Sequence, residues 1–519
     1  MNRQCGIKRF RRTPLQELQL ILICLLQLNA QSQSLSIDET FADEGVYYFE
    51  FEEATVVCTD SEIQPDGKIL LLGKQIHYLD EIDLNVIVRL TPDGQQDSSF
   101  GENGIHYFEQ DINSENLSVV SMDIAVDGSI YIAGSANNIY EKTYLGGVII
   151  KMTPNGAIDS SFGTNGWMYP EVTTCQHTTI SEIHIFPDYK ILIGGTTCYG
   201  INCDTLQFFV ARFKANGIID KSFGTNGLTF TNFGVVECQA TRMLIGADGD
   251  ILLAGYTNDF IALARYTSNG TTDTFFGSNG KMLTDLGAST LTAIGALSDG
   301  TIIVAGNNKI AAYTESGILY PYFGTDGIVS YVFDDYTQFT DIFVQEDDKF
   351  ILSGYTGDNE FPDVMDMSLT RFSKSGEVDT SFTSEGTFLV DNSNYFSYNR
   401  KMHILLNGDI ILSGFEEYNG IRNYLAAIRL NTNLAPNFNT PFHVEHTNVW
   451  TTENILYINN TNDYTTRYLI VNEIGQPITE FMADSGLNEF NIDALPAALY
   501  ILIQYNTSEN ITYKFAKAR

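Results

Sequence analysis

The residues in this 519-residue chain that could do chemistry are its seven histidines, 64 acidic residues and seven cysteines. The histidines (His77, His106, His177, His184, His403, His443, His446) are scattered and form no HExxH pair of the kind that holds a catalytic zinc. His443 and His446 flank Glu445 at a metal-ligand spacing, but they stand in a segment that reads as a linker. Neither a G-x-S-x-G elbow nor a phosphate loop occurs. Carboxylates are numerous enough for a glycosidase-type pair, yet no spacing singles out two of them. Asp363 and Asp366, in GDNEFPDVMDMS, could offer oxygens to calcium, although such loops are more often simply solvated. The sequence therefore assigns no catalytic, cofactor-binding or metal residue, and the expectation is a protein that is not an enzyme.

The cysteines point to a compartment rather than a reaction. Cys5 and Cys24 lie in the N-terminal segment, leaving Cys58, Cys175, Cys198, Cys203 and Cys238. Cys198 and Cys203 are close enough to bridge a small loop in an oxidising compartment. The odd count leaves at least one thiol free, and the pairing stays open.

Five basic residues (Arg3, Lys8, Arg9, Arg11, Arg12) lead into the apolar run LQLILICLLQL and then Asn29-Ala30-Gln31-Ser32. This pattern predicts a signal peptide over 1–30, because the run is short for a membrane span and interrupted by glutamine. Removing those residues takes the net charge from −35 to −39. So acidic a surface repels phosphate backbones and anionic lipid, which argues against nucleic acid as a partner. No later apolar run is long enough to span a bilayer.

Stepping along the chain, one nine-residue phrase keeps returning: QDSSFGENG, IDSSFGTNG, IDKSFGTNG, TDTFFGSNG, LYPYFGTDG and VDTSFTSEG. A worn copy, IDETFADEG, precedes them and APNFNT trails them. A second phrase runs in phase, from QPDGKILLLG (64–73) to LLNGDIILSG (405–414), with glycine at 73, 134, 195, 255, 306, 354 and 414. Asp-Gly between apolar runs is the strongest short hairpin signal, and small residues at one fixed point imply that backbones converge there. A third strand, such as NVIVRLTPDG, and a fourth after the Asn-Gly turn complete the unit.

Successive motif phenylalanines (Phe41, Phe100, Phe162, Phe223, Phe276, Phe323, Phe382, Phe438) are 47 to 62 residues apart. Seven four-stranded units with no helical period predict an all-β fold, a seven-bladed β-propeller of four-stranded blades followed by a small antiparallel β-sandwich. A β-solenoid is the alternative, disfavoured because its rungs are shorter. The strand at 45–52 is expected to complete the blade begun by 400–430 and so close the ring. The motif phenylalanine is expected to plug the seam between blades. Arg89, Lys151, Arg212, Arg265, Arg371 and Arg429 precede Asp97, Asp159, Asp220, Asp273, Asp379 and Asn437 respectively. The unit that loses the base (Ala312) also loses the acid (Tyr320), which predicts a paired, structural contact.

The in-phase segments PDGKILLLG, VRLTPDG and DSSFGTNG resemble the delta-60 repeat of bacterial exported proteins, over residues 38–438. That resemblance implies a propeller and no catalytic residues. After a linker at 439–450, residues 451–519 alternate like a small β-sandwich. There LIVNEIGQPI, IDALPAALYILI and YKFAKAR resemble the type A sorting domain of type IX secretion cargo in Bacteroidota, although the opening P-N-P is missing and Ala498 stands where glycine is usual. This resemblance implies the type IX secretion machinery as a partner and a secreted or outer-membrane surface location. The function expected is a non-catalytic binding scaffold whose variable loops (74–85, 135–147, 196–208, 355–367) meet a glycan or a cell-surface protein. The alternatives are a polysaccharide hydrolase or lyase with carboxylates in the channel, and a plain structural spacer.

Overall fold

A computed structural model describes residues 35–432 and 449–516. Excepted are 51–54, 65, 77–83, 109–114, 139–142, 173–177, 200–204, 247, 258–259, 288–289, 358–364, 391–395, 406, 419–421, 453–454, 461–465, 473–476, 484–485, 493–498 and 506–510. The expected signal peptide, Cys175, Cys203, Asp363, Asn437, Phe438, His443 and His446 therefore lie outside the described residues.

Each repeat is an antiparallel meander of four strands. In blade 1 these are Thr55–Ile63, Ile69–Ile76, Leu84–Leu90 and Ile105–Phe108, paired in that order. Five more blades follow the same plan, with first strands Glu115–Ile124, Thr178–Ile185, Cys238–Ile245, Ala293–Ala296 and Tyr336–Val344. The middle strands are buried on both sides because every blade packs a neighbour on each face, as in Leu84–Leu90, where Val86, Ile87, Val88 and Leu90 are all inaccessible.

Blade 7 contains Phe396–Ile404, Ile410–Tyr418 and Arg422–Asn431, and takes its fourth strand, Val46–Phe49, from the start of the chain. The register runs from Val46 opposite Ile428 to Phe49 opposite Leu425. The ring is closed as the sequence predicts. The closure also gives Arg429 a partner in the worn first copy of the motif: it bonds Asp38 at 2.6 Å, while Asn437, the partner expected from the sequence, lies outside the described residues. The other acid–base pairs form as read, at 2.6 to 2.9 Å for Arg89–Asp97, Lys151–Asp159, Arg212–Asp220, Arg265–Asp273 and Arg371–Asp379.

These cations also tie blade to blade. Arg89 donates to Pro154 O, Arg212 to Ser268 O, Arg265 to Glu315 O and Arg429 to Pro92 O, each in the next blade. The plug phenylalanine lies beneath: Arg89 stands 4.6 Å from the Phe100 ring centre and Arg212 4.7 Å from that of Phe223. A Cβ at Gly156 in the next blade would come within 2.7 Å of Phe100, and one at Gly270 within 2.6 Å of Phe223. Glycine is needed in that turn both for its positive φ and to let the ring in.

Farther along the chain, two antiparallel sheets contain Val449–Thr452, Ile455–Asn460 and Gly486–Asn491, and Pro477–Ala483, Thr466–Asn472, Leu499–Tyr505 and Ile511–Ala516. Leu456, Tyr468, Ile470 and Leu502 are buried there.

Candidate functional site

The first strands pack on one another in a closed ring about the propeller axis, the seventh against the first. Six of them carry a β-bulge, at Thr59, Val120, Ser181, Thr241, Thr340 and Arg400. The repeated glycine of the second strand faces the residue before the bulge, as in Gly354 opposite Phe339. A Cβ at Gly134, Gly195, Gly255, Gly354 or Gly414 would lie 1.9 to 2.1 Å from a first-strand carbonyl oxygen, and one at Gly306 1.7 Å from Thr290 O, just before the first strand of blade 5. The bulge bends the strand, and the glycine admits the bend.

Just past the bulge position stand Asp60, Ser121, Glu182, Arg242, Ala293, Asp341 and Lys401, one per blade. Two residues farther stand Glu62, Asp123, His184, Leu244, Gly295, Phe343 and His403. Blades 1, 2, 3 and 7 thus bring charged and polar groups to the axis, and blades 4 to 6 bring mostly apolar or small ones at the second level.

Each polar group leans on the next blade. Asp60 Oδ2 accepts from Met122 N–H (2.7 Å) and its Oδ1 from Ser61 N–H (2.9 Å). Asp123 accepts from Ile185 and Ile124 N–H (2.6 and 2.7 Å), and Asp341 from Met402 and Ile342 N–H (both 3.0 Å). Ser121 donates to Glu182 (3.2 Å), and Arg242 lies 3.4 Å from the other Glu182 oxygen. Arg242 also passes the small Ala293 and Gly295 of blade 5 to reach Thr340 O in blade 6, at 3.4 Å. Lys401 stands 3.5 Å from Asp60, and His403 Nε2 2.8 Å from Ser61 Oγ, closing the circle between blades 7 and 1.

Burial dominates the electrostatics. It raises the carboxyls of Asp60, Glu62 and Glu182, Glu62 most strongly, with Lys401 acting against the rise. The carboxylate of Asp60, ahead of those of Glu182, Asp341 and Glu62, holds Lys401 above its ordinary value. Burial and then Lys401 push His403 down to about 4, so it is neutral near pH 7.

Chemically, Asp60, Asp123 and Asp341 each have both oxygens engaged by backbone N–H groups, which suits a clasp between blades. Glu182 is held between Ser121 and Arg242. Glu62 is the half-buried carboxyl whose raised affinity for a proton has no clasp to account for it. Among the described residues no group of three or more His, Cys, Asp or Glu side chains is placed to hold a metal. Asp366 belongs to the strand Met365–Phe372, opposite Thr356, rather than to a loop.

Apart from His184 and His403, these axial residues are not singled out by any motif of the sequence, and a signal for them existed. They occur six and four residues before the first residue of the turn Asp-Gly or its counterpart, as Asp60 and Glu62 do before Asp66. Aligning the repeats on that turn also brings His184 and His403 into one position, so those two histidines are not scattered. Cys58 and Cys238 are free and buried, and burial pushes both thiols up to about 12, too high for a nucleophile. Cys198 is disulfide-bonded, with its partner outside the described residues.

A family described as a β-propeller domain of unknown function (DUF5122) matches residues 64–100, 127–162 and 246–276. Each match runs from the first hairpin turn to the plug phenylalanine. No curated protein matches. Similar solved structures include a Dyadobacter fermentans protein of unknown function, 11% identical with a TM-score of 0.37, covering 75% of this chain and 100% of that one. PorZ of Porphyromonas gingivalis, described as an essential surface component of the type IX secretion system, is 11% identical with a TM-score of 0.37. That match covers 87% of this chain and 58% of PorZ. A Bacteroides caccae protein of unknown function is 12% identical, TM-score 0.34, over 64% and 97%. None of these likenesses carries a function to this chain.

Proposed function

We propose that the chain is a non-catalytic binding scaffold of the cell surface or extracellular space, exported by its N-terminal signal and sorted by a type IX secretion module at its C-terminus. The observation that carries the non-catalytic part is the use of the axial carboxylates. Asp60, Asp123 and Asp341 spend both oxygens on N–H groups, one in the same strand and one in the next blade. A carboxylate so held is oriented by the fold, with one acceptor site on each oxygen already committed to the backbone. Export is supported by the basic and apolar leader and by the disulfide at Cys198. The resemblances to delta-60 repeats and to the type A sorting domain support the same reading.

Binding would draw on the connections between second and third strands. In an alternating meander these all leave from one end, together with the connections from one blade to the next. The variable loops read from the sequence have their tips outside the described residues, but their flanking strands place all four at this end. The test is to incubate the full-length protein with insoluble polysaccharides and with cell-surface preparations, following protein depletion and reducing-end release together. Depletion without new reducing ends is expected. New reducing ends, abolished by substituting Glu62 or Glu182, would replace this reading with a hydrolase or lyase. No depletion by any surface would favour the spacer.

A further inference from the structure

We propose that the rim of blades 4 and 5, where the third strand turns into the fourth, is a binding site for a neutral polysaccharide. The proposal rests on the binding-scaffold reading, but it puts the ligand at the end opposite the variable loops, since the turns from third to fourth strand leave from the other end of the meander.

The turn motif has a structural use for the residue before its plug phenylalanine. In five copies that residue is a hydroxyl donating to the turn aspartate: Thr40 to Asp38 (2.7 Å), Ser99 to Asp97 (2.7 Å), and Ser161, Ser222 and Ser381 to Asp159, Asp220 and Asp379 (each 2.6 Å). Blade 4 has Phe275 there and keeps only the backbone bond to Asp273, at 3.0 Å. Blade 5 has Tyr322 and has lost the aspartate and its cation as well, to Tyr320 and Ala312. Two neighbouring blades have thus exchanged a repeated hydrogen bond for an aromatic ring.

The rings stand largely in solvent. Phe275 is 88% exposed and Tyr322 79%, and Ile318 between them in sequence is 65% exposed. Exposed aromatic rings at one repeat position in two adjacent blades form a surface suited to contact with a ligand. The turns that carry them belong to adjacent blades. Gly277 N–H donates to Ser316 O at 2.8 Å, so the turn bearing Phe275 abuts the turn that leads into Ile318. Tyr320 stands edge-on to Tyr322, ring centres 5.7 Å apart, and braces it. Just beyond Tyr322 is a groove of about 520 Å³ lined by Gly324, Thr325, Ile328, Val329 and Ser330. Ser330 Oγ accepts from Lys309 at 2.6 Å.

The chemistry of this strip selects the occupant. Exposed ring faces stack on the C–H faces of sugar rings, and hydroxyl groups of threonine and serine exchange hydrogen bonds with sugar hydroxyls. The five residues that line the groove are themselves uncharged, with Lys309 at its edge engaged by Ser330, and a chain of net charge −35 repels an anionic polymer. A neutral polysaccharide meets all three conditions.

The test is affinity electrophoresis of the full-length chain in native gels containing galactomannan, xyloglucan or mixed-linkage β-glucan, with polygalacturonate and chitosan as charged comparisons. The expected result is retardation by at least one neutral polymer. The apparent Kd should rise about ten-fold or more in the double variant Phe275→Ser/Tyr322→Ser. Val236→Ser, at an exposed residue on the variable-loop end, should leave it unchanged. Phe275→Ser alone restores the residue type of the other blades, so it should keep the wild-type melting temperature while weakening binding, which guards against a folding defect in the double variant. Retardation that survives the double variant would overturn the site and leave the scaffold reading standing. Retardation only by chitosan or polygalacturonate, or by no gel, would overturn the ligand class. The surface-depletion experiment then decides the scaffold reading separately.

Discussion

Glu62 is half-buried beside the axis, with Asp60, Asp123 and Glu182 adding to the cost of its charge and Lys401 offsetting part of it. Its carboxyl is raised in the folded protein, so the folded state keeps a proton that the unfolded chain releases above its ordinary value of 4.5. The resulting stabilisation is full below that value and is lost as pH rises through the raised one. Glu62→Gln should therefore raise the urea midpoint over wild type at about pH 8, and the gain should close towards about pH 5. His403, held down to about 4, works in the opposite sense, its contribution falling as pH drops below 6.5, but it is common to both proteins and cancels. An equal gain at both pH values would show that Glu62 is not desolvated as described. At this scale the sequence displayed the acid–base staples, because partner and partner disappear together at Ala312 and Tyr320. It hid the axial carboxylates among many similar residues.

The hairpin of first and second strands depends on one glycine and one bulge. At Gly354 a Cβ would sit 2.0 Å from Gln338 O, and backbone on both sides leaves little room to relax. At Gly73 the nearest atoms are methyls of Val56 and Val86, at 3.2 and 3.3 Å. Gly354→Ala should cost about 1–3 kcal/mol or more, as overpacking does, and Gly73→Ala clearly less. Urea midpoints of the two variants check this, and equal losses would show that the close first-strand carbonyl is not what requires glycine, since both glycines face a bulged strand. The Asp-Gly turns and the glycines were legible because they recur at a fixed spacing. The bulge was not, since an inserted residue breaks the period of two by which a strand is recognised.

The whole ring is held by a strand from the other end of the chain. Deleting residues 35–50 removes Val46–Phe49, the Asp38–Arg429 pair and the Phe41 plug together. Hydrogen exchange should then speed up by about ten-fold or more in Arg422–Asn431, while Thr178–Ile185 in blade 3 keeps its protection. Uniform loss would mean that the propeller unfolds as one unit, and no change would mean that closure adds nothing. Blade number, strand order and closure were determined by the sequence itself. Each unit is local, its turns dictate the meander, and the count of repeats sets the count of blades. Only the tertiary structure decided that Arg429 pairs with Asp38, that acids from three blades meet around Lys401, and that Phe275 and Tyr322 share one rim. Those facts depend on which blades become neighbours after the ring closes, and a one-dimensional repeat makes every blade look alike.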